Sequence, residues 1–171
     1  MKIFMVPHDP AWRHEFQQEA ERITAALGTN VVTVHHIGST AILAIYAKPV
    51  IDFLLVVQDL TALDEKQPMM EALGYVALGE FGIPGRRYFR RDNASGDRTH
   101  QVHAFETGSP QIERHLAFRD YMLAHPDAAQ AYSDLKRKLA AKYLNDSEAY
   151  MDGKDEFIQE IDRRAAQQNQ E

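Results

Sequence analysis

Apolar residues recur along this chain in two periods, and the switches between them lay out its elements. Trp12, Phe16, Ile23 and Leu27 repeat at helical spacing, Asp9-Pro10 supplies an N-cap and a first-turn proline, and Gly28 stops the run. Two continuous apolar runs then read as strands, Val31–Ile37 and Val50–Val57. Gly38-Ser39-Thr40 ends the first, and a short helix is expected before Lys48-Pro49 breaks into the second. Asp59 to Leu73 is helical in composition, but Pro68 predicts two short pieces or a kink, closed by Gly74. A short strand over Tyr75–Leu78 and a mobile glycine-rich loop over Gly79–Gly85 should follow. Arg87–Arg91 and Arg98–Phe105 flank the turn residues Asp92 to Asp97, which predicts an antiparallel hairpin. From Ser109-Pro110 the period is helical to the end. Pro126 divides that part, Ala128, Tyr132, Leu135, Leu139 and Tyr143 form one apolar stripe, and Tyr150, Phe157, Ile158 and Ile161 mark a last helix that should fray from Arg163.

A helix, a mixed sheet and a helical C-terminal third make this an α+β chain, expected to form a single domain over residues 1–171. That length supports one core and not two. The net charge of −6 argues against a nucleic-acid coat or a binder of anionic membranes. With no cysteine, disulfides, thiolate zinc sites and cysteine nucleophiles are excluded. The apolar stretch in MKIFMVPHDPAW is too short for a signal peptide and no segment reaches membrane-spanning length, so a cytoplasmic protein is expected.

Asp52 is the first candidate for chemistry, because a carboxylate inside a buried strand is costly unless something pairs with it. The turn is the second. A strand that ends in Gly38-Ser39 turns backbone N–H groups toward one point, glycine lets a phosphate approach, and the Ser39 hydroxyl can donate to it. Twelve residues separate Ser39 from Asp52, enough for a turn, a short helix and a return strand. A carboxylate beside bound phosphates is a common way to recruit Mg²⁺. The bland alternatives are a helix cap at Ser39 or Thr40 and a structural ion pair between Asp52 and Lys48 or an arginine.

Gly38-Ser39, twelve residues, then Asp52 resembles the signature of the nucleotidyltransferase superfamily, the DNA polymerase β-like fold. The ordered segments HIGST, AKPVID, RTHQVHAFETGS, FRDYM and YMDGKDEFI resemble the GrpB family more closely, from about Val6 to about Ala165. That family also occurs fused to some dephospho-CoA kinases. The resemblance implies a minimal nucleotidyltransferase fold, a mixed sheet with helices packed on one face and a helical C-terminal third. It implies a fold better than a substrate.

Two departures stand out. Nucleotidyltransferases generally carry a second acid two residues after the first, and Leu54 stands there. The family's usual Val-Pro-Gly-Leu after the turn is Ile42-Leu43-Ala44-Ile45, which reads as more plainly helical. His103, on the strand after the hairpin, and His36, two residues before the turn, are the candidates to replace the missing acid, as metal ligands with Asp52 or, for His103, as general base. A histidine in a strand is more often a hydrogen-bonded structural residue. Gly38, Ser39, Thr40, Lys48, Arg87 and Arg119 complete the candidate phosphate-binding set, with Arg87 as a clamp and the Gly79–Gly85 loop able to close over a ligand. Arg119 earns its place because it lies beside an apolar stripe and needs a partner. Lys136 and Lys154 also flank stripes, but lysines crowd most helix surfaces.

The leading expectation is a metal-dependent nucleotidyltransferase-like protein that uses Mg²⁺ or Mn²⁺ ahead of Zn²⁺, with a nucleoside triphosphate as substrate. The alternatives are a non-catalytic module for a nucleotide or phosphometabolite, and a small metal-dependent hydrolase built on His36, Asp52 and His103.

Overall fold

The computed structural model describes residues 3–168; residues 1, 2 and 169–171, the ends of the expected domain span, lie outside them. Helix α1 (Ala11–Leu27) opens with the Ala11 N–H donating to Asp9 Oδ1 and closes at Gly28 in the left-handed region. Strand β1 (Val31–Ile37) runs to the Gly-Ser turn, and β2 (Ile51–Val57) returns antiparallel to it. Pro68 does divide the next segment, into α2 (Leu60–Glu65) and α3 (Gln67–Ala72), with Asp59 capping the first through the Thr61 N–H. Strands β3 (Val76–Ala77), β4 (Arg87–Asp92) and β5 (Arg98–Glu106) follow, then α4 (Pro110–Ala124), α5 (Pro126–Lys142) and α6 (Ser147–Gln168). The last helix continues past Arg163, where fraying was expected.

The five strands form one mixed sheet in the order β1-β2-β5-β4-β3. Strand β2 is interior, parallel to β5 and antiparallel to β1. Its apolar run follows from its place. Ile51, Phe53, Leu55 and Val57 pack on one face with Trp12, Ile23 and Leu27 of α1, while Leu54 and Val56 pack on the other with Phe105 and, from α4, Ile112 and Leu116. Helices α1–α3 thus cover one face, which we call the covered face. The opposite face is covered by α4 at one end only. At its other end α5 and α6 lean over the Gly-Ser turn, leaving a cleft.

The segment expected to be helical after the turn is not. A single 3₁₀ turn covers Ser39–Ala41, and the chain then runs irregularly, with Ala44 at φ 65°. Helix α5 holds this segment in place of internal hydrogen bonds. Ser133 Oγ accepts from the Tyr46 N–H at 3.0 Å, and Lys136 Nζ donates to the Tyr46 carbonyl at 2.9 Å.

Candidate functional site

Gly38 sits at φ 74°, and a Cβ there would overlap the Asp52 carboxylate. The turn glycine and the acid are therefore one construction: glycine is needed both for the backbone angle and because Asp52 lies against it. The register explains the contact, since Asp52 pairs directly with Ile37, the last residue of β1.

Asp52 forms one wall of a cleft of about 220 Å³ with Ser39, Lys48, Gln101, Lys136, Tyr150 and Lys154. Three ammonium groups converge here. Lys136 Nζ donates to Ser39 Oγ at 2.7 Å and lies 4.6 Å from the centre of the Tyr132 ring. Lys48 and Lys154 both stand over the Tyr150 ring, at 4.5 and 4.8 Å. Lys136 is only 2% exposed. Burial, helped by the charges of Lys154 and Lys48 and opposed by Asp52, pushes its pKa down to about 7. Burial and Lys48 push Lys154 down to about 8, and Lys48 is lowered as well, by burial. The cleft therefore holds more positive charge than it can keep comfortably. An anion would relieve this. The space is smaller than the roughly 300–1,000 Å³ of drug-sized pockets, so it suits a phosphate chain and not a whole nucleotide.

His103 does come to Asp52, with Nε2 3.3 Å from Oδ1. Arg86 NH1 stands 3.3 Å from His103 Nδ1, and a guanidinium can only donate, so Nδ1 accepts and the ring proton sits on Nε2, facing the carboxylate. Neither ring nitrogen keeps a free lone pair for a metal or for a proton from substrate. In this arrangement His103 holds Asp52 through Nε2. Arg86 is itself fixed, donating from Nε to the Glu80 carbonyl at 3.1 Å and from NH2 to the Phe81 carbonyl at 2.8 Å. The glycine-rich loop expected to be mobile is thus tied to the same arginine.

His36 does not join them. It pairs with Phe53 on the covered face, stacks on Phe16 at 4.8 Å between ring centres and shares a 2.9 Å hydrogen bond with Thr40. Burial pushes its pKa down to about 4. Thr40 is buried with it, so it caps that histidine and does not face a ligand. Arg87 also points to the covered face, where Nε and NH2 grip the Asp64 carboxylate at 2.7 and 3.1 Å. Arg119 donates to the His36 carbonyl at 3.2 Å and to Asp120 at 2.9 Å, away from the cleft. Of the expected set the structure gathers Gly38, Ser39, Lys48, Asp52 and His103, and leaves out Thr40, His36, Arg87 and Arg119.

Lys136, Lys154, Gln101 and Arg86 are the residues that sequence reasoning passed over. A signal existed for the two lysines. Lys136 is four residues after Tyr132 and three before Leu139, and Lys154 is four after Tyr150 and three before Phe157, so each sits within an apolar stripe and not beside it. A charge there needs a reason.

Leu54 is fully buried between Ile37, Val56 and Phe105 on the Asp52 face. Among the described residues no group of three or more histidine and carboxylate side chains is placed to hold a metal. A two-ion site does not fit this chain. A single Mg²⁺ or Mn²⁺ shared between Asp52 and a ligand's own phosphate oxygens fits the donors present.

The α+β fold is nucleotidyltransferase-like: the chain superposes on terminal uridylyl transferase 4 from Trypanosoma brucei with bound dUTP, at TM-score 0.58 and 11% identity, over 96% of this chain and 56% of that one. The chain belongs to the GrpB family, whose model, described as GrpB protein, matches residues 2–164. The solved conserved protein GrpB from Enterococcus faecalis is similar over 98% of this chain and 100% of its own, at 39% identity and TM-score 0.93. UPF0157 protein YqkA of Bacillus subtilis is 42% identical over 164 residues, which is 96% of this chain but 47% of that protein, so the chain spans about half of that relative. Among the described residues no helix is long and apolar enough to cross a membrane.

Proposed function

We propose that the cleft binds the phosphates of a nucleotide or other phosphorylated small molecule, with Ser39, Lys48, Lys136 and Lys154 contacting the anion and Asp52 holding one divalent metal shared with it. The observation that carries this reading is the convergence of three ammonium groups, one of them nearly buried, on a cleft whose only carboxylate among the described residues is Asp52. Lysines whose pKa burial lowers hold their protons more firmly when an anion enters, so binding and protonation reinforce each other. The nucleoside would lie outside the cleft, along the open face of the sheet.

The reaction class that suits this site is nucleotidyl transfer, supported by the fold that the chain shares with terminal uridylyl transferase 4. The metal, when bound, would neutralise phosphate charge. Asp52 orients it, His103 keeps Asp52 in place and the lysines draw charge from the leaving phosphates. A binding module without turnover is the second reading, favoured by Leu54 in place of the second acid and by the proton on His103 Nε2. Thermal stabilisation by each of the four nucleoside triphosphates, with and without Mn²⁺, tests both. The proposal expects metal-dependent stabilisation that is lost in Asp52→Asn, and labelled nucleotide in an acceptor separates transferase from module. No response to any triphosphate, with Mn²⁺ or without it, would sink the proposal.

A further inference from the structure

Five arginines lie on the β4–β5 hairpin and its approach, and four of them are anchored. Arg86 holds loop carbonyls and His103, Arg87 grips Asp64, Arg91 pairs with Glu19, and Arg98 pairs with Asp92 at 2.7 Å. Among the described residues Arg90 has no carboxylate, carbonyl or other hydrogen-bond partner. Its guanidinium stands only beside the Phe81 ring, 5.9 Å from the centroid, although the residue is half-buried.

Its place in the sheet gives that exception meaning. Asp52 pairs with Gln101, and Gln101 pairs with Arg90, so the three stand in one row across three adjacent strands and on the same face. At about 4.8 Å per strand the Arg90 Cα lies ~10 Å from that of Asp52. The side chain of Gln101 between them has no hydrogen-bond partner among the described residues either, and it lines the phosphate cleft.

We infer that Arg90 forms a second oxyanion subsite, one that takes a phosphate or carboxylate group of a ligand lying across the sheet from the lysine cleft, with Gln101 bridging the two. A half-desolvated guanidinium that lacks a protein partner is suited to a bidentate oxyanion. The ring of Phe81 fixes one of its faces, which reduces the freedom lost on binding. The inference rests on the proposed phosphate cleft for where the rest of the ligand lies, but not for the subsite itself.

The full chain, labelled with ¹⁵N, is titrated with inorganic phosphate and separately with acetate, each against sodium chloride of equal ionic strength. The Arg90 Nε–H signal, assigned by its loss in Arg90→Gln, is expected to move saturably with phosphate, with acetate or with both, and not with chloride; which of them moves it tells phosphate from carboxylate. In Lys154→Gln the lysine-cleft response should weaken at least tenfold while the Arg90 response persists. An Arg90 signal that neither anion moves, or that chloride moves equally, overturns the subsite. A wild-type chain that shows the Arg90 response alone would overturn the phosphate cleft and leave the subsite standing.

Discussion

The two faces of this sheet treat charge in opposite ways. On the covered face every strongly buried charge meets its opposite. Glu19, 4% exposed, takes Arg91 at 2.9 Å and Arg22 at 3.1 Å, with His100 at 3.8 Å, and nearer the surface Arg87 takes the exposed Asp64. On the open face Lys48, Lys136 and Lys154 gather round a single acid, and Arg90 has no partner among the described residues. Both arrangements draw cationic side chains, a histidine and a carboxylate together, so the presence of charge does not tell them apart. Balance does. A buried acid that meets guanidinium groups needs nothing further, whereas three ammonium groups around one acid are stable only because the fold around them makes up the deficit, and a ligand can remove that deficit.

The largest expected effect breaks the balanced side. Glu19→Ala leaves the Arg91 guanidinium without its carboxylate, and should destabilise the chain by about 3 kcal/mol in urea titration. Phosphate affinity, scaled to the folded fraction, should be unchanged. If affinity falls with stability, the two faces are coupled and the contrast between them fails.

Next comes the unbalanced side. Lys136→Met keeps the length of the side chain and removes the ammonium, so phosphate or triphosphate affinity should fall at least tenfold, about 1.4 kcal/mol. The melting temperature should change little, because the lost hydrogen bonds to Ser39 and Tyr46 are offset by no longer burying a charge. A steep drop in stability with affinity intact would mean that Lys136 is only a structural clamp.

The same lysines set a pH dependence. Lys136 titrates near 7 in the fold against an ordinary 10.5, and Lys154 near 8. Because these values are depressed, the unfolded chain carries more protons above pH 7, so this contribution makes stability rise with pH between about 7 and 10.5 and leaves it flat below. Anion binding needs the charged forms. Affinity should therefore be greatest below pH 7 and fall severalfold as pH rises through 7 and 8, with proton uptake visible by calorimetry in buffers of different ionisation heat. Lys136→Met should remove the lower of the two steps. A pH-independent affinity over that range would detach these lysines from the ligand.

How far the sequence could anticipate this contrast depended on whether a signal was local. Caps, Pro68, the hairpin and the glycine-serine turn are local, and each formed where expected. The meeting of Asp52 with His103 was accessible through strand alternation, which put His103 with Gln101 and apart from His100. Pairing register is not local. Whether His36 shares a face with Asp52 is decided by its alignment with Phe53, and a shift of one residue would have reversed the answer. Arg87 found Asp64 twenty-three positions away, a partner that no period predicts. Of the open-face lysines, Lys136 and Lys154 lie on helices distant in sequence from the turn, and only their place inside an apolar stripe marked them.

The smallest expected effect concerns the segment that carries Lys48 to the open face. Ala44 holds φ 65° where most side chains are strained by about 1–2 kcal/mol, and it occupies the glycine of the family's usual Val-Pro-Gly-Leu. Buried Ile42 and Ile45 on either side, and the hold of α5 on Tyr46, keep the chain from relaxing out of that angle. Ala44→Gly should relieve the strain but give the unfolded chain more freedom, for a net gain of about 0.5–1 kcal/mol by denaturant titration. Because Ala44 is exposed and lies outside the cleft, phosphate affinity should stay the same. A change in affinity as well would show that the strained turn positions Lys48, and that the imbalance of the open face extends into its backbone.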